Sequence, residues 1–357
     1  MIGTGAHAAT TADSIAWSFN EFVFNDAYRI NVDSQGAVAV GGDLYTSSFS
    51  IDSLNKTVNG YGLVVGDNLT MYSADVWGDV FVGGNASLTN PSIHGDVQVN
   101  GNVALYRNGM LFEDLSYGGV LTNTNTYNPV AGTTTSNTII DSPVNFAETF
   151  EYLSAISLAQ VGTNDLSGVM EYSQLYLNGA TGTALNIFTI SESQLESATG
   201  GFHITADPGS TVIVNVLRDK DENGNFTTDG IISVPNTGNQ YSGVTVDKVL
   251  YNFVDAVTVK LSSLRGSVLA PTATVCAGSG GFNGNLIANN VYGIDCKPGS
   301  YANVETHYYD GGGTTGQPTY FTGTLRDITP VHAVPEPGTL ALLGLGLLGI
   351  ALSRRSL

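Results

Sequence analysis

Basic residues are scarce in this chain. Lysine and arginine number 12 against 31 aspartates and glutamates, a formal net charge of −19 over 357 residues. Phosphate recognition needs clustered Lys and Arg, so this balance argues against a nucleic-acid partner. It fits a solvated surface outside the cell, with divalent-cation binding as the sharper alternative. Charge of either sign is low, 12 percent, and the glycine count is 44. That combination disfavours a helical bundle and favours a turn-rich β body. The hydrophobic content of 42 percent excludes global disorder. Cysteine is nearly absent. Cys276 and Cys296 stand 20 residues apart. With coils of about 17 to 18 residues they would fall on neighbouring turns, within reach of a disulfide and in an oxidising compartment; two buried thiols are the alternative.

Catalytic signatures are also missing. There is no HExxH pair and no GxSxG elbow, and Gly278-Ser-Gly-Gly lacks the Lys-Ser/Thr of a P-loop. His7, His94, His203, His307 and His332 form no Cys/His cluster. Glu305 and His307 lie close in a loop, which reads as structural or solvated. Gly344-Leu-Gly346-Leu-Leu-Gly349 spells a dinucleotide fingerprint, but inside an apolar tail with no strand before it.

What is present is a repeat. Trp77-Gly-Asp-Val-Phe-Val-Gly-Gly-Asn-Ala-Ser-Leu is followed, 17 residues on, by His94-Gly-Asp-Val-Gln-Val-Asn-Gly-Asn-Val-Ala-Leu. The phrase also occurs at Gly36-Ala-Val-Ala-Val-Gly-Gly-Asp-Leu and, shortened, at Gly62. Alternate valines make one face of a short strand, and Gly-Gly-Asp or Gly-Asn turns the chain because Gly and Asn tolerate positive φ. One unit cannot bury its own valines, but a stack can. A related phrase returns as Gly266-Ser-Val-Leu-Ala-Pro and Gly284-Asn-Leu-Ile-Ala-Asn at an offset of 18. The expected fold is mainly β, a discontinuous β-solenoid whose N- and C-terminal rungs share one stack.

Other segments fill in the order. Ala6-His7-Ala8 has the small-x-small pattern of a signal-peptidase site. Residues 1–14 therefore read as a residual export segment or a flexible N-terminus. Asn20-Glu-Phe-Val-Phe-Asn-Asp is a strand, and residues 123–137 form a Thr/Asn/Gly-rich loop. A helix is expected over 143–161, capped by Ser142 before Pro143 or by Asn145 with Glu148, with Phe146, Phe150, Leu153 and Val161 on one face. That face would lie on the flank of the solenoid. Strands resume at Ala184, Gly209 and Lys248. Residues 311–333 are a Gly/Thr/Pro-rich linker.

Asp219, Asp221 and Asn223, with Gly224 and Asp229, match the start of a calcium loop, although the Glu required at its end is missing and no helices flank it. Calcium and a plain polar loop both remain open; no other cofactor is expected. If Val38, Val40, Val80, Val82, Val97 and Val99 point inward, then Ala37, Ala39, Asp79, Phe81, Asp96 and Gln98 point outward. Those rows are not threonine ladders, which argues against ice binding. Asp79 and Asp96 stack as paired carboxylates, but no basic partner is evident for a polysaccharide lyase or hydrolase.

The tail runs Val334-Pro335-Glu336-Pro337-Gly338, then about 14 apolar residues from Thr339, then Arg354 and Arg355. The run is short of the roughly 20 needed to span comfortably, and the arginines would hold its end in the cytoplasm. Pro335, Glu336, Pro337, Arg354 and Arg355 resemble the PEP-CTERM sorting signal of Gram-negative bacteria. That resemblance implies a short transmembrane helix and processing by an exosortase. The body, through Phe22-Val-Phe-Asn-Asp, Gly36-Ala-Val-Ala-Val-Gly-Gly-Asp, Asp207-Pro-Gly-Ser-Thr-Val-Ile-Val-Asn-Val, Val249-Leu-Tyr-Asn-Phe and Gly266-Ser-Val-Leu-Ala-Pro, is similar to the choice-of-anchor A family. It implies an adhesive, ice-binding-like β-helix over 15–310 with one long helix along its side, no catalytic motif, and a sorting signal over 334–357. The function expected is a non-catalytic adhesive at the cell surface or in the extracellular matrix. It would pass transiently through the inner membrane and bind extracellular polysaccharide or neighbouring cells.

Overall fold

The computed structural model describes residues 12–125, 128–261, 263–307 and 320–326. The chain forms two compact units, Met1–Leu325 and Arg326–Leu357. In the first, 26 strands among the described residues join one sheet, paired in parallel and wound as stacked three-sided coils. Face A carries, in spatial order, Leu185–Ser191, Thr211–Leu217, Val249–Phe253, Ser267–Ala277, Leu286–Tyr292, Glu21–Val23, Val38–Val40, Tyr61–Val65, Asp79–Val82, Val97–Val99, Leu115–Tyr117 and Thr134–Ser136. Face B includes Ala27–Ser34, Leu44–Ile51, Leu69–Tyr72, Ala86–Thr89, Val103–Tyr106 and Leu121–Asn123. Face C includes Asp75–Val76, Ser92–Ile93 and Met110–Leu111.

The 17-residue repeat is the register itself: Val80 pairs with Val97 and Val82 with Val99. The chain enters in the middle of the stack. Phe22 pairs with Ile287 on one side and Ala39 on the other, so the first and last rungs are neighbours. Coils run outward to Ser136, and the chain then crosses back over the outside of face A. Thr138 and Ile140 carbonyls accept from Gln98 and Asn100 at 3.2 and 2.8 Å. The helix expected over 143–161 spans Phe146–Ala159 and starts at Asn145, whose side chain accepts from the Glu148 N–H. Phe146 meets Phe22 at 5.3 Å and Phe150 meets Phe24 at 5.1 Å, ring to ring.

At its far end the helix leaves carbonyls without intrahelical partners. Asn252 Nδ2 donates to the Ser157 carbonyl at 2.8 Å and Asn215 Nδ2 to the Gln160 carbonyl at 2.9 Å. Two buried asparagines thus stand where the strands would otherwise carry apolar residues.

This return segment corrects one expectation. Ala37, Ala39 and Phe81 do point away from the coil interior, but they are buried at 0, 0 and 1 percent exposure. Their row continues as Leu269–Ile287–Phe22–Ala39–Val64–Phe81, one residue per rung, beneath a second layer. Over these rungs face A is buried on both sides, while at Gln98, Ser116 and Thr135 its outer side is not, so alternation alone could not tell covered from solvated. The 123–137 segment also holds more order than expected, because Thr134–Ser136 adds a rung beside Leu115–Tyr117.

The corners differ in mechanism. Between faces A and B, Asp26, Asp43, Asn68, Asn85 and Asn102 form a ladder. Each Oδ1 accepts the backbone N–H one coil on, at 2.8 to 3.0 Å. The glycines there are required by close approach rather than by positive φ: a Cβ on Gly83 would lie 2.1 Å from the Gly66 carbonyl oxygen. Positive φ is found at the B–C corner instead, at Asn31, Ser48, Ser73, Asn90 and Arg107. These are mostly short polar residues that tolerate the left-handed region.

Asp52 sits at a further corner, fully buried at φ 56°. Burial pushes its carboxyl up from 3.8 to about 7, against the lowering effect of Lys56. Between these values the folded chain keeps a proton that the unfolded chain has released. Stability therefore falls as pH rises through that window and is flat above it. Asp52→Asn is expected to be more stable than the parent by about 2–4 kcal/mol at pH 8 and to show little gain at pH 4. Urea midpoints that shift equally at the two pH values would refute this.

Candidate functional site

Face A is covered from Leu269 to Phe81, so the solvated surface includes face B, face C and the C–A corner. Two outward rows run along face B, Tyr28–Tyr45–Thr70–Ser87–Ala104–Thr122 and Ser47–Tyr72–Thr89–Tyr106. No Asp, Glu, Lys or Arg interrupts either row. Tyr28 and Tyr45 stack at 4.5 Å. Burial and the adjacent Tyr45 and Asp26 push the Tyr28 hydroxyl up to about 12. Arg107 donates to the Tyr72 hydroxyl at 3.0 Å and lies over its ring. The rows offer hydroxyls and aromatic surface at the spacing of parallel strands, about 4.8 Å. The tyrosines stand proud of the smaller residues, which breaks any flat lattice.

At the C–A corner Asp79, Asp96 and Asp114 form a second ladder. Asp79 Oδ1 accepts the Asp96 N–H at 3.0 Å, Asp96 Oδ1 the Asp114 N–H at 3.1 Å, and Asp114 Oδ1 the Thr133 N–H at 2.7 Å. One oxygen of each carboxylate thus holds the coils together. Glu305 and His307 make a half-exposed contact at 3.0 Å.

Asp219, Asp221 and Asp229 each accept a backbone N–H, and Asn223 donates one of them. Asp219 accepts from the Ser193 N–H, Asp221 from the N–H groups of Asn223 and Asn225, and Asp229 from that of Ile231. Arg218 and Lys220 both lie over the Phe226 ring, which organises the loop as a hairpin. Among the described residues no group of three or more His, Cys, Asp or Glu is placed to hold a metal. Cys276 and Cys296 are joined in a disulfide with Cα atoms 5.1 Å apart.

Residues 320–325, within the expected linker, contact the solenoid. The Phe321 ring lies 5.2 Å from that of Trp17, tilted by 40°, and the Phe321 N–H donates to Asn285 Oδ1 at 2.6 Å, while the Thr324 N–H reaches Thr211 Oγ1 at 2.8 Å. The sorting residues Pro335, Glu336, Pro337, Arg354 and Arg355 and the export segment before residue 12 lie outside the described residues. Among the described residues no helix is long and apolar enough to cross a membrane.

The described residues form a parallel β-solenoid whose face B carries two rows free of Asp, Glu, Lys and Arg. The ice-binding-like adhesive domain matches residues 12–66 and 54–296, and the PEP-CTERM protein-sorting motif matches residues 333–355. The chain belongs to the ice-binding-like adhesive domain family, and its sorting signal marks it as an exported, cell-surface protein processed by an exosortase. No curated protein and no solved structure matches it.

Sequence reasoning missed the face B rows and a row of rings at 77, 94 and 112. Their signal was present as aromatic residues recurring at offsets of 17 and 18.

Proposed function

We propose that this chain is a non-catalytic adhesive of the extracellular matrix that binds polysaccharide through face B. It is exported in a Gram-negative bacterium, held briefly in the inner membrane by its tail, and released by exosortase cleavage near Pro335-Glu336-Pro337. The observation that carries the binding reading is the pair of uncharged Tyr/Thr/Ser rows on consecutive rungs. Hydroxyls and aromatic surface suit sugar rings, and the absence of charge in the rows suits a repeating ligand. A disulfide fits an oxidising compartment. The polysaccharide-cleaving alternative is weakened because Asp79 and Asp96 each commit an oxygen to the backbone ladder.

The test uses the mature protein recovered from the native organism. Its intact mass is expected to show loss of the tail after the Pro-Glu-Pro region, and the protein is expected outside the cell and retained on the organism's own exopolysaccharide. Tyr72 and Tyr106 are exposed. Changing both to alanine should cut retention at least about tenfold, or about 1.4 kcal/mol. An intact tail in the inner membrane, or no retention of the parent protein, would overturn the proposal.

A further inference from the structure

The C–A corner carries its own row of rings beside the carboxylate ladder. Trp77, His94 and Phe112 occupy one position on three consecutive coils. The Trp77 and His94 rings lie 3.9 Å apart at 6°, and the His94 and Phe112 rings 4.6 Å apart at 6°. Trp77 and Phe112 remain 40 and 42 percent exposed, well above the buried aromatics of face A. Asp79 and Asp96 lie two residues beyond Trp77 and His94, and Glu113 follows Phe112. The loop through Asn55, Thr57 and Gly60 raises a wall at the Trp77 end. These residues line a cleft of about 650 Å³, within the size range of small-ligand sites.

The lining decides the chemistry. The rings cover one another's faces along the row, so they offer a ligand their edges, an apolar flank for the C–H groups of a sugar. Asp79, Asp96 and Glu113 are acceptors when ionised, so they call for O–H or N–H donors. No Lys or Arg lines the cleft. A ligand bearing carboxylate or sulfate would meet three like charges with no counter-charge. The rows repeat at each coil, about 4.8 Å, comparable with the advance of one residue in an extended β-linked glycan. We propose that this cleft binds a glycan rich in hydroxyl or amino donors and free of acidic groups, lying along the Trp77–His94–Phe112 row. The choice of a glycan rests on the adhesive reading; the site and its charge preference do not.

The chain has two tryptophans, so Trp17→Phe leaves Trp77 as the sole tryptophan reporter. Its emission would be titrated in the full-length Trp17→Phe protein with β-1,4-linked hexamers of glucosamine, glucose and a uronic acid. A saturable change is expected with glucosamine, a weaker one with glucose, and none with the uronate. Phe112→Ala and Glu113→Gln, both at exposed positions, should each weaken glucosamine binding at least about fivefold, with the far-ultraviolet dichroism and melting temperature preserved. No saturable change with either of the first two hexamers would overturn the proposal. So would uronate binding as tight as glucosamine binding, or unchanged affinity in both variants. If the hexamers fail while the protein is still retained on exopolysaccharide, the cleft alone is refuted. If both fail, the adhesive reading falls with it.

Discussion

Arg29→Met is expected to destabilise the solenoid by about 3–5 kcal/mol, because it breaks a fully buried ion pair and strands the remaining charge. Arg29 and Glu21 have no exposed side-chain surface, and Arg29 Nη2 lies 2.9 Å from Glu21 Oε1. The same Nη2 donates to the Val304 carbonyl at 2.6 Å, and the Thr306 hydroxyl donates to Glu21 Oε1 at 2.6 Å. Phe49 lies beneath the guanidinium at 5.2 Å. These partners come from both ends of the chain. The pair therefore closes the joint where the first coil meets the last, which plain valine packing would leave free to slip. Its own geometry is incomplete: Glu21 Oε2 and Arg29 Nε and Nη1 have no hydrogen-bond partner among the described residues. A buried pair of this kind adds little net stability over apolar residues of similar volume. Glu21→Leu combined with Arg29→Met should therefore recover most of the loss, as read by urea unfolding. A double variant no more stable than either single would show that the pair stabilises beyond apolar packing, and one as unstable as the sum of the singles would show that the two side chains are not coupled.

The repeat made the stack legible. The valine phrase at offset 17 reports pairing directly, because in a parallel coil equivalent residues lie on top of one another. The return of the phrase at 266 and 284 reported the discontinuity, and Phe22 does pair with Ile287. The coverage of face A was not legible. Phe81 and Gln98 hold equivalent positions on adjacent rungs, and only a non-local segment, 138–159, decides which surface is buried. The corner glycines were found for a different reason from the one that requires them. Close backbone approach and positive φ both select glycine, and composition cannot separate the two. The carboxylates at 219, 221 and 229 had the spacing of a cation loop, and each accepts a nearby backbone N–H, a set of bonds that spacing along the chain does not reveal. The aromatic row at 77, 94 and 112 lay within the aligned repeats, yet periodic rings read equally well as packing until exposure is known.

Phe22→Ala is expected to cost about 3–5 kcal/mol, more than a valine truncation in the coil interior. Phe22 is fully buried on the outer side of face A. Its ring meets Phe19 at 5.8 Å, Phe24 at 5.3 Å and Phe146 at 5.3 Å. It is thus the point at which the helix Phe146–Ala159 is fastened over the chain joint. Each aromatic pair adds about 0.5–1.5 kcal/mol beyond its buried area, so the loss should reach the helix and not only the strand. The helix is 14 residues long, near the length at which an isolated helix is marginal in water. Once released from Phe22 it should fray. The expected result is a new site of limited proteolysis within 138–160 in Phe22→Ala. That cleavage should be absent in Phe22→Leu, which keeps apolar bulk, and absent in Val38→Ala, which leaves a cavity on the other side of the same sheet. If all three variants resist the protease equally, the helix is held by its asparagine-bonded far end. The outer layer would then be set by Asn215 and Asn252 rather than by the aromatic cluster.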